Sequence, residues 1–172
     1  TQGSGYVLGN GIRKFVDGLP GLGAANANSR GQYIPVGVPD TTTYPGSDYY
    51  EIALVQYREQ MHTDLPPTLL RGYVQLETGV ITGEHVQLAN ANLTGPDTVL
   101  AGHFGVTPPH YLGPTIVATK DRPVRIKFYN LLPTGAGGDL FIPTDVTVMG
   151  AGMGPDLVQQ WGSMEWPAAL GG

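Results

Sequence analysis

The chain has 172 residues, about the length of one domain, with 41% apolar residues to fill a core and only 13% charged ones. Its 26 glycines and 15 prolines disfavour helix interiors by about 1 and 3 kcal/mol each, which argues against a helical bundle and for a turn-rich, all-β globular protein. A net charge of −5 gives no basic footprint for nucleic acid, no run of apolar residues is long enough to span a membrane, and the lack of cysteine excludes disulfides, thiolate zinc sites, cysteine nucleophiles and a type-1 copper centre of the usual kind.

Residues 1–48 are interrupted by Gly18, Gly21, Gly23, Gly31, Gly37 and Gly46 and by Pro20, Pro35, Pro39 and Pro45. They read as a long irregular N-terminal extension with turns at Asp17-Gly18 and Pro45-Gly46. Ile12, Phe15, Val16, Tyr33, Ile34 and Val36 are the residues expected to pin it across a folded body. A β-sandwich portion is expected over 49–150. Within it, 49–61 (YYEIALVQYREQM) opens with β-branched and aromatic residues and predicts a strand. Pro66-Pro67 ends that element, and 70–76 predicts a second strand. The stretch 79–105 fits short strands and loops whose ends the sequence does not place. In 123–131, Val124, Ile126 and Phe128 alternate with Arg125, Lys127 and Tyr129, which predicts a half-buried antiparallel strand. Residues 115–119 (TIVAT) are its expected partner strand, joined through Lys120-Asp121-Arg122. A turn at 133–138 and a strand pair or bent strand at 140–149 follow. Residues 151–172 form an irregular tail carrying Trp161 and Trp166.

The chemistry-bearing residues select no catalytic set. All-nitrogen metal sites usually show close pairs such as His-x-His on a strand, which puts both rings on one face. His62, His85, His103 and His110 include no such pair. They are expected to be surface or structural histidines, and no metal is placed on them. Gly150-Ala151-Gly152-Met153-Gly154-Pro155 lacks the following helix and the βαβ frame of a dinucleotide loop and reads as a tight turn. Asp40, Asp48, Glu51, Asp64, Asp97, Asp139 and Asp145 are solvated carboxylates by default, since nothing selects a pair placed across a sugar. Tyr44, Tyr49, Tyr50 and Tyr57 with Trp161 and Trp166 fit either a sugar-stacking platform or core and interface packing. Asn92-Leu93-Thr94 has the form of a glycosylation acceptor.

Tyr111-Leu112-Gly113-Pro114-Thr115-Ile116-Val117-Ala118, followed by Pro123-Val124-Arg125-Ile126-Lys127-Phe128-Tyr129-Asn130-Leu131-Leu132-Pro133, resembles the first cupredoxin domain of the multicopper oxidase family. That family shows a Gly-Pro-x-Ile strand, a tight turn and a strand ending in Asn-x-Leu, and Asn130 falls at the usual asparagine. The turn Lys120-Asp121-Arg122 departs from the pattern, having no glycine. Met61-His62-Thr63-Asp64-Leu65-Pro66-Pro67-Thr68 running into Leu70-Arg71-Gly72-Tyr73-Val74-Gln75, and Leu140-Phe141-Ile142-Pro143-Thr144-Asp145 running into Val148-Met149-Gly150-Ala151-Gly152, resemble a bacterial branch of large multicopper oxidases. The blocks are scattered over residues 33 to 155.

The resemblance implies a cupredoxin-like Greek-key β-sandwich and a secreted or periplasmic protein. It also implies one-electron oxidation of a phenol, amine or metal ion, coupled to reduction of dioxygen to water. The family's His-x-His-Gly copper motif has no match here, so no family site residue is carried onto this chain, and copper is expected on the remainder of the enzyme. A sandwich buries one face of each sheet against the other. Without a further central strand, Val124, Ile126 and Phe128 would lie partly uncovered. The chain is therefore expected to be an N-terminal structural part of an oxidase, completed by a second chain or cleaved fragment, with Trp161 and Trp166 as anchors against it. The alternatives are a non-catalytic β-sandwich module that binds a carbohydrate or protein partner, and a hydrolase using scattered carboxylates.

Overall fold

The longest apolar run builds the central strand of the larger sheet. In the computed structural model, which describes residues 12–93 and 95–134, β1 (Asp48–Glu59) leaves a tight turn at Tyr44-Pro45-Gly46-Ser47. The Ser47 N–H donates to the Tyr44 carbonyl at 3.0 Å, and Gly46 has φ +86°. Proline second and glycine third at positive φ make this a type II turn, the one expected from Pro45-Gly46. Alternate residues of β1 point to opposite faces, and both faces are buried: Tyr50 and Ile52 on one, Ala53 and Val55 on the other. That double burial explains why this strand reads as a nearly continuous apolar run.

β2 (Thr68–Gln75) pairs antiparallel with β1, in a register running from Ile52 opposite Gln75 to Glu59 opposite Thr68. Gly72 permits a close approach on this strand. A Cβ there would lie 2.6 Å from the His110 carbonyl oxygen and 2.8 Å from a Tyr57 ring carbon. The space lets Tyr73 and His110 exchange backbone hydrogen bonds at 2.9 and 3.0 Å. β3 (Val86–Asn90) and β4 (Thr98–Gly105) form a separate antiparallel pair with an irregularity between Gln87 and Ala89. Backbone bonds from Val106 to Gln75 and from Ala91 to Gln56 tie its two ends to the larger sheet. Ala53, Val55, Val74, Leu76 and Leu88 close the core between the sheets, with Leu100, Tyr129 and Leu131 packed around them. Each buried valine or leucine among the first five contributes about 1.5–3 kcal/mol.

β5 (Val124–Asn130) completes the larger sheet, whose order is β2-β1-β5, and it corrects two expectations. It runs parallel to β1, with Tyr50 opposite Ile126 and Ile52 opposite Phe128, and residues 115–119 are not its partner. Thr115 instead makes a single parallel bridge to Val36, bonded to Pro35 and Gly37. The physical reason lies at the turn. Asp121 takes φ +65°, and the Asp48 N–H then captures the Pro123 carbonyl at 2.9 Å, which starts a ladder along β1. The apolar face of β5 is partly uncovered, as expected: Val124, Ile126 and Phe128 are 37, 40 and 64% exposed, and Arg125 and Lys127 are exposed as well.

The architecture is thus all-β in two sheets, with one short 3-10 turn at Ala24–Asn26 as its only described helix. The N-terminal extension is irregular apart from isolated bridges such as Leu22 to Ile34 and Asp40 to Tyr49. Phe15 is 99% exposed, and Ile12 and Val16 are exposed too, so they do not pin it. Polar contacts do that work, as shown below. The chain divides into two compact units, Thr1–Leu131 and Leu132–Gly172. The expected elements at 140–149 and 151–172, with Trp161, Trp166, Asp139, Asp145 and the glycine-rich run 150–155, lie outside the described residues.

Candidate functional site

Pairing β5 beside β1 creates an apolar cleft of about 220 Å³ on one face of the larger sheet. Ile52, Ile126 and Phe128 form its floor, Tyr73 one side, and Leu112 and Ile116 the rim. The Tyr73 and Phe128 rings meet edge-on, with centroids 6.3 Å apart and planes at 68°. Leu112 on the rim is 74% exposed, and Ile126 and Phe128 on the floor are 40 and 64% exposed. A contiguous apolar surface of this kind is a feature of interaction sites rather than of scattered surface residues.

The histidines stand apart, each with its own partners. His62 accepts the Asp64 N–H at Nδ1, 3.0 Å away, and its Nε2 lies 2.8 Å from the Arg13 carbonyl. His85, at φ +55°, places Nδ1 2.6 Å from Glu77 Oε2 and stacks on Phe104 with centroids 4.0 Å apart. That contact, with the Gly83 N–H, holds the Glu77 carboxyl below its ordinary range. His103 Nδ1 lies 3.2 Å from the Ala101 carbonyl, and His110 Nδ1 accepts the Leu112 N–H at 3.3 Å. Among the described residues no three side chains of metal-ligating type converge. Set apart in this way, the four histidines do not fit a copper centre.

The carboxylates are dispersed too. Asp40 is buried and caps its own loop, accepting from the Thr42 and Thr43 N–H groups and both hydroxyls, which lowers its pKa to about 2, with the Thr43 contacts the main cause. Asp48 pairs with Arg122 at 2.8 Å. Asp64 grips Arg13 through the guanidinium and the backbone N–H, and this holds its carboxyl well below the usual range. Asp17 accepts from the Thr63 N–H and hydroxyl. Residues 13–17 are therefore strapped to His62-Thr63-Asp64, a contact across some fifty positions of sequence that no local pattern announces.

The four tyrosines do not make one platform. Tyr44 and Tyr49 meet edge-on at 4.9 Å, Tyr50 is buried on the opposite face, and Tyr57 donates to Glu59 at 3.1 Å beside a second cleft of about 370 Å³. Gln32, Arg58, Gln87, Asp97 and Pro109 also line that cleft. The amide of Asn92 donates to the Pro96 carbonyl and, at 3.2 Å, to Thr98 Oγ1. Thr94 of the Asn92-Leu93-Thr94 acceptor lies outside the described residues. Tyr129 and Arg125, named in the sequence as strand residues and not as a site, join Tyr44, Tyr49 and Glu51 on one face. Their only sequence signal is the polar half of the 124–129 alternation.

The fold and this surface define an all-β protein of two hydrogen-bonded sheets with an uncovered apolar face. No protein-family model, curated protein or solved structure matches the chain.

Proposed function

We propose that this chain is the N-terminal, cupredoxin-like structural part of a multicopper oxidase. Its Greek-key sandwich is completed by the remainder of the enzyme, as a second chain or cleaved fragment, and the copper ligands lie on that remainder. The enzyme so formed oxidises a phenol, amine or metal ion one electron at a time and reduces dioxygen to water. The observation that carries the proposal is the state of β5, the strand on which the family resemblance is densest. Its apolar residues Ile126 and Phe128 are 40 and 64% exposed, beside the buried Tyr50 and Ile52. A sandwich strand with that pattern calls for a second layer over it, and a contact there supplies the hydrophobic centre of an interface.

The test is Phe128→Arg in the assembled enzyme. Copper and oxidase activity should travel with the wild-type chain through size exclusion and separate from the variant. Co-elution of copper with the variant would remove this face as the contact. The 370 Å³ cleft beside Tyr57 favours a second reading, a non-catalytic module that binds a carbohydrate. Retention of the copper-free chain on a polysaccharide affinity gel, lost in Tyr57→Ala, would support it.

A further inference from the structure

The cations of this acidic chain are unevenly placed, since four of its nine lysines and arginines fall within residues 120–127. Arg122 is engaged by Asp48. Arg125 and Lys127 stand two residues apart on the polar face of β5, both exposed. Neither has a carboxylate within ion-pair distance among the described residues.

Phenol rings hold them instead. The Arg125 guanidinium carbon lies 5.0 Å from the centroid of Tyr44, and Arg125 Nε donates to Ser47 Oγ at 3.3 Å. Lys127 Nζ lies 4.5 Å from the centroid of Tyr129. Glu51 is the residue directly across the ladder from Lys127. Its two oxygens accept instead from the phenols of Tyr49 and Tyr129, at 2.9 and 2.7 Å. Those bonds fasten the carboxylate to the tyrosine framework. It forms no ion pair with either cation, and its charge adds to the Tyr129 contact in holding the Lys127 pKa up.

A cation–π contact orders a charged side chain without neutralising it. With Nε anchored, the two terminal nitrogens of Arg125 carry no partner among the described residues. They form the edge that grips an oxyanion through parallel N–H bonds. Side chains ordered in advance lose less entropy when a ligand arrives. The Tyr129 phenol, chiefly by hydrogen bonding, also holds the Lys127 ammonium above its ordinary pKa.

We propose that Arg125 and Lys127, on their tyrosine framework, bind the carboxylates of an acidic partner segment in extended conformation. Residues two apart on a strand recur every 6.4–6.8 Å or so. The matching partner therefore carries acidic side chains at alternate positions of its own extended backbone. Two single positive charges match the single charges of two carboxylates, whereas phosphate groups, at about −1.5 to −2 each, would leave excess negative charge beside Glu51, the ladder partner of Lys127.

The experiment measures binding of a short labelled peptide alternating glutamate and threonine to the full chain, by fluorescence anisotropy, at low salt and at about 150 mM salt. Arg125→Gln/Lys127→Gln should weaken binding by roughly tenfold or more, and Lys14→Gln, an exposed cation elsewhere, should leave it unchanged. A peptide of the same composition with its glutamates in one block should bind less tightly. Circular dichroism checks that each variant is folded. Equal affinity for the double variant, or for the blocked peptide, would overturn the proposal. So would saturation of the site by inorganic phosphate with no competing peptide binding, which would make it a small-anion site.

Discussion

Ile52 of β1 and Phe128 of β5 are register partners on one face of the sheet, yet Ile52 is 4% exposed and Phe128 64%. The cover on this face therefore stops between two adjacent strands. Ile52 shares the lining of the apolar cleft with Tyr73, Gly113, Pro114 and Ile116 as well as with Phe128. β5 gains the ladder to β1 without gaining the burial that usually accompanies a strand of this composition.

The two positions should respond differently to truncation in this chain alone. Ile52→Ala should cost about 2–4 kcal/mol in urea denaturation, from lost transfer energy and the cavity left behind. Phe128→Ser should cost under about 1 kcal/mol, as substitutions at exposed sites do. Equal losses would mean that Phe128 is covered in solution.

Leu88 is 1% exposed and is the main side chain that β3 sends into the core between the sheets. Leu88→Ala should lower stability by about 2–5 kcal/mol with an unchanged denaturant slope. A negligible loss would show that the β3–β4 pair does not pack on the larger sheet.

The strap from Arg13 to Asp64 rests on three side-chain hydrogen bonds of 2.6–3.2 Å and one from the backbone N–H. Asp64→Asn keeps the shape and removes the charge that strengthens them. Trypsin cleavage after Arg13 and Lys14 should then accelerate roughly tenfold through easier local opening, with the urea midpoint of the core unmoved. An unchanged cleavage rate would show that the strap does not depend on this pair.

Asp40 sets a pH window. Its folded-state pKa is about 2, against an ordinary value of 3.8. Between those values the unfolded chain binds more protons than the folded one, so this contribution is complete above about pH 4 and fades as pH falls through about 2. Wild type should lose stability over that interval more steeply than Asp40→Asn, read as the urea midpoint against pH. Parallel curves would show that the Thr42 and Thr43 contacts do not hold the ionised carboxylate.

Much of the fold was legible in the sequence where burial is two-sided. The aromatic and β-branched start of 49–61 marked β1 within two residues at either end, and Pro66-Pro67 marked the approach to β2. The alternation at 124–129 correctly signalled a strand but not its partner. Parallel pairing joins Asp48 to Val124 across a long crossover, and no local pattern encodes it. Alternation alone cannot tell a buried apolar face from an uncovered one. The partial exposure of Val124, Ile126 and Phe128 was expected from the need of a sandwich for a second layer, and the fold shows it. The site residues were least legible. Arg125 and Lys127 read only as the charged half of the alternation, because the ring over Arg125 arrives from the distant Pro45-Gly46 turn and the partner of Lys127 is Tyr129 on its own strand.

The most direct test of the central claim is intact mass under native and denaturing conditions, with copper quantified on the same sample. The proposal predicts a native assembly that releases this 18.2 kDa chain and a larger, copper-carrying chain on denaturation. A lone, copper-free monomer of 18.2 kDa that stays folded would contradict it.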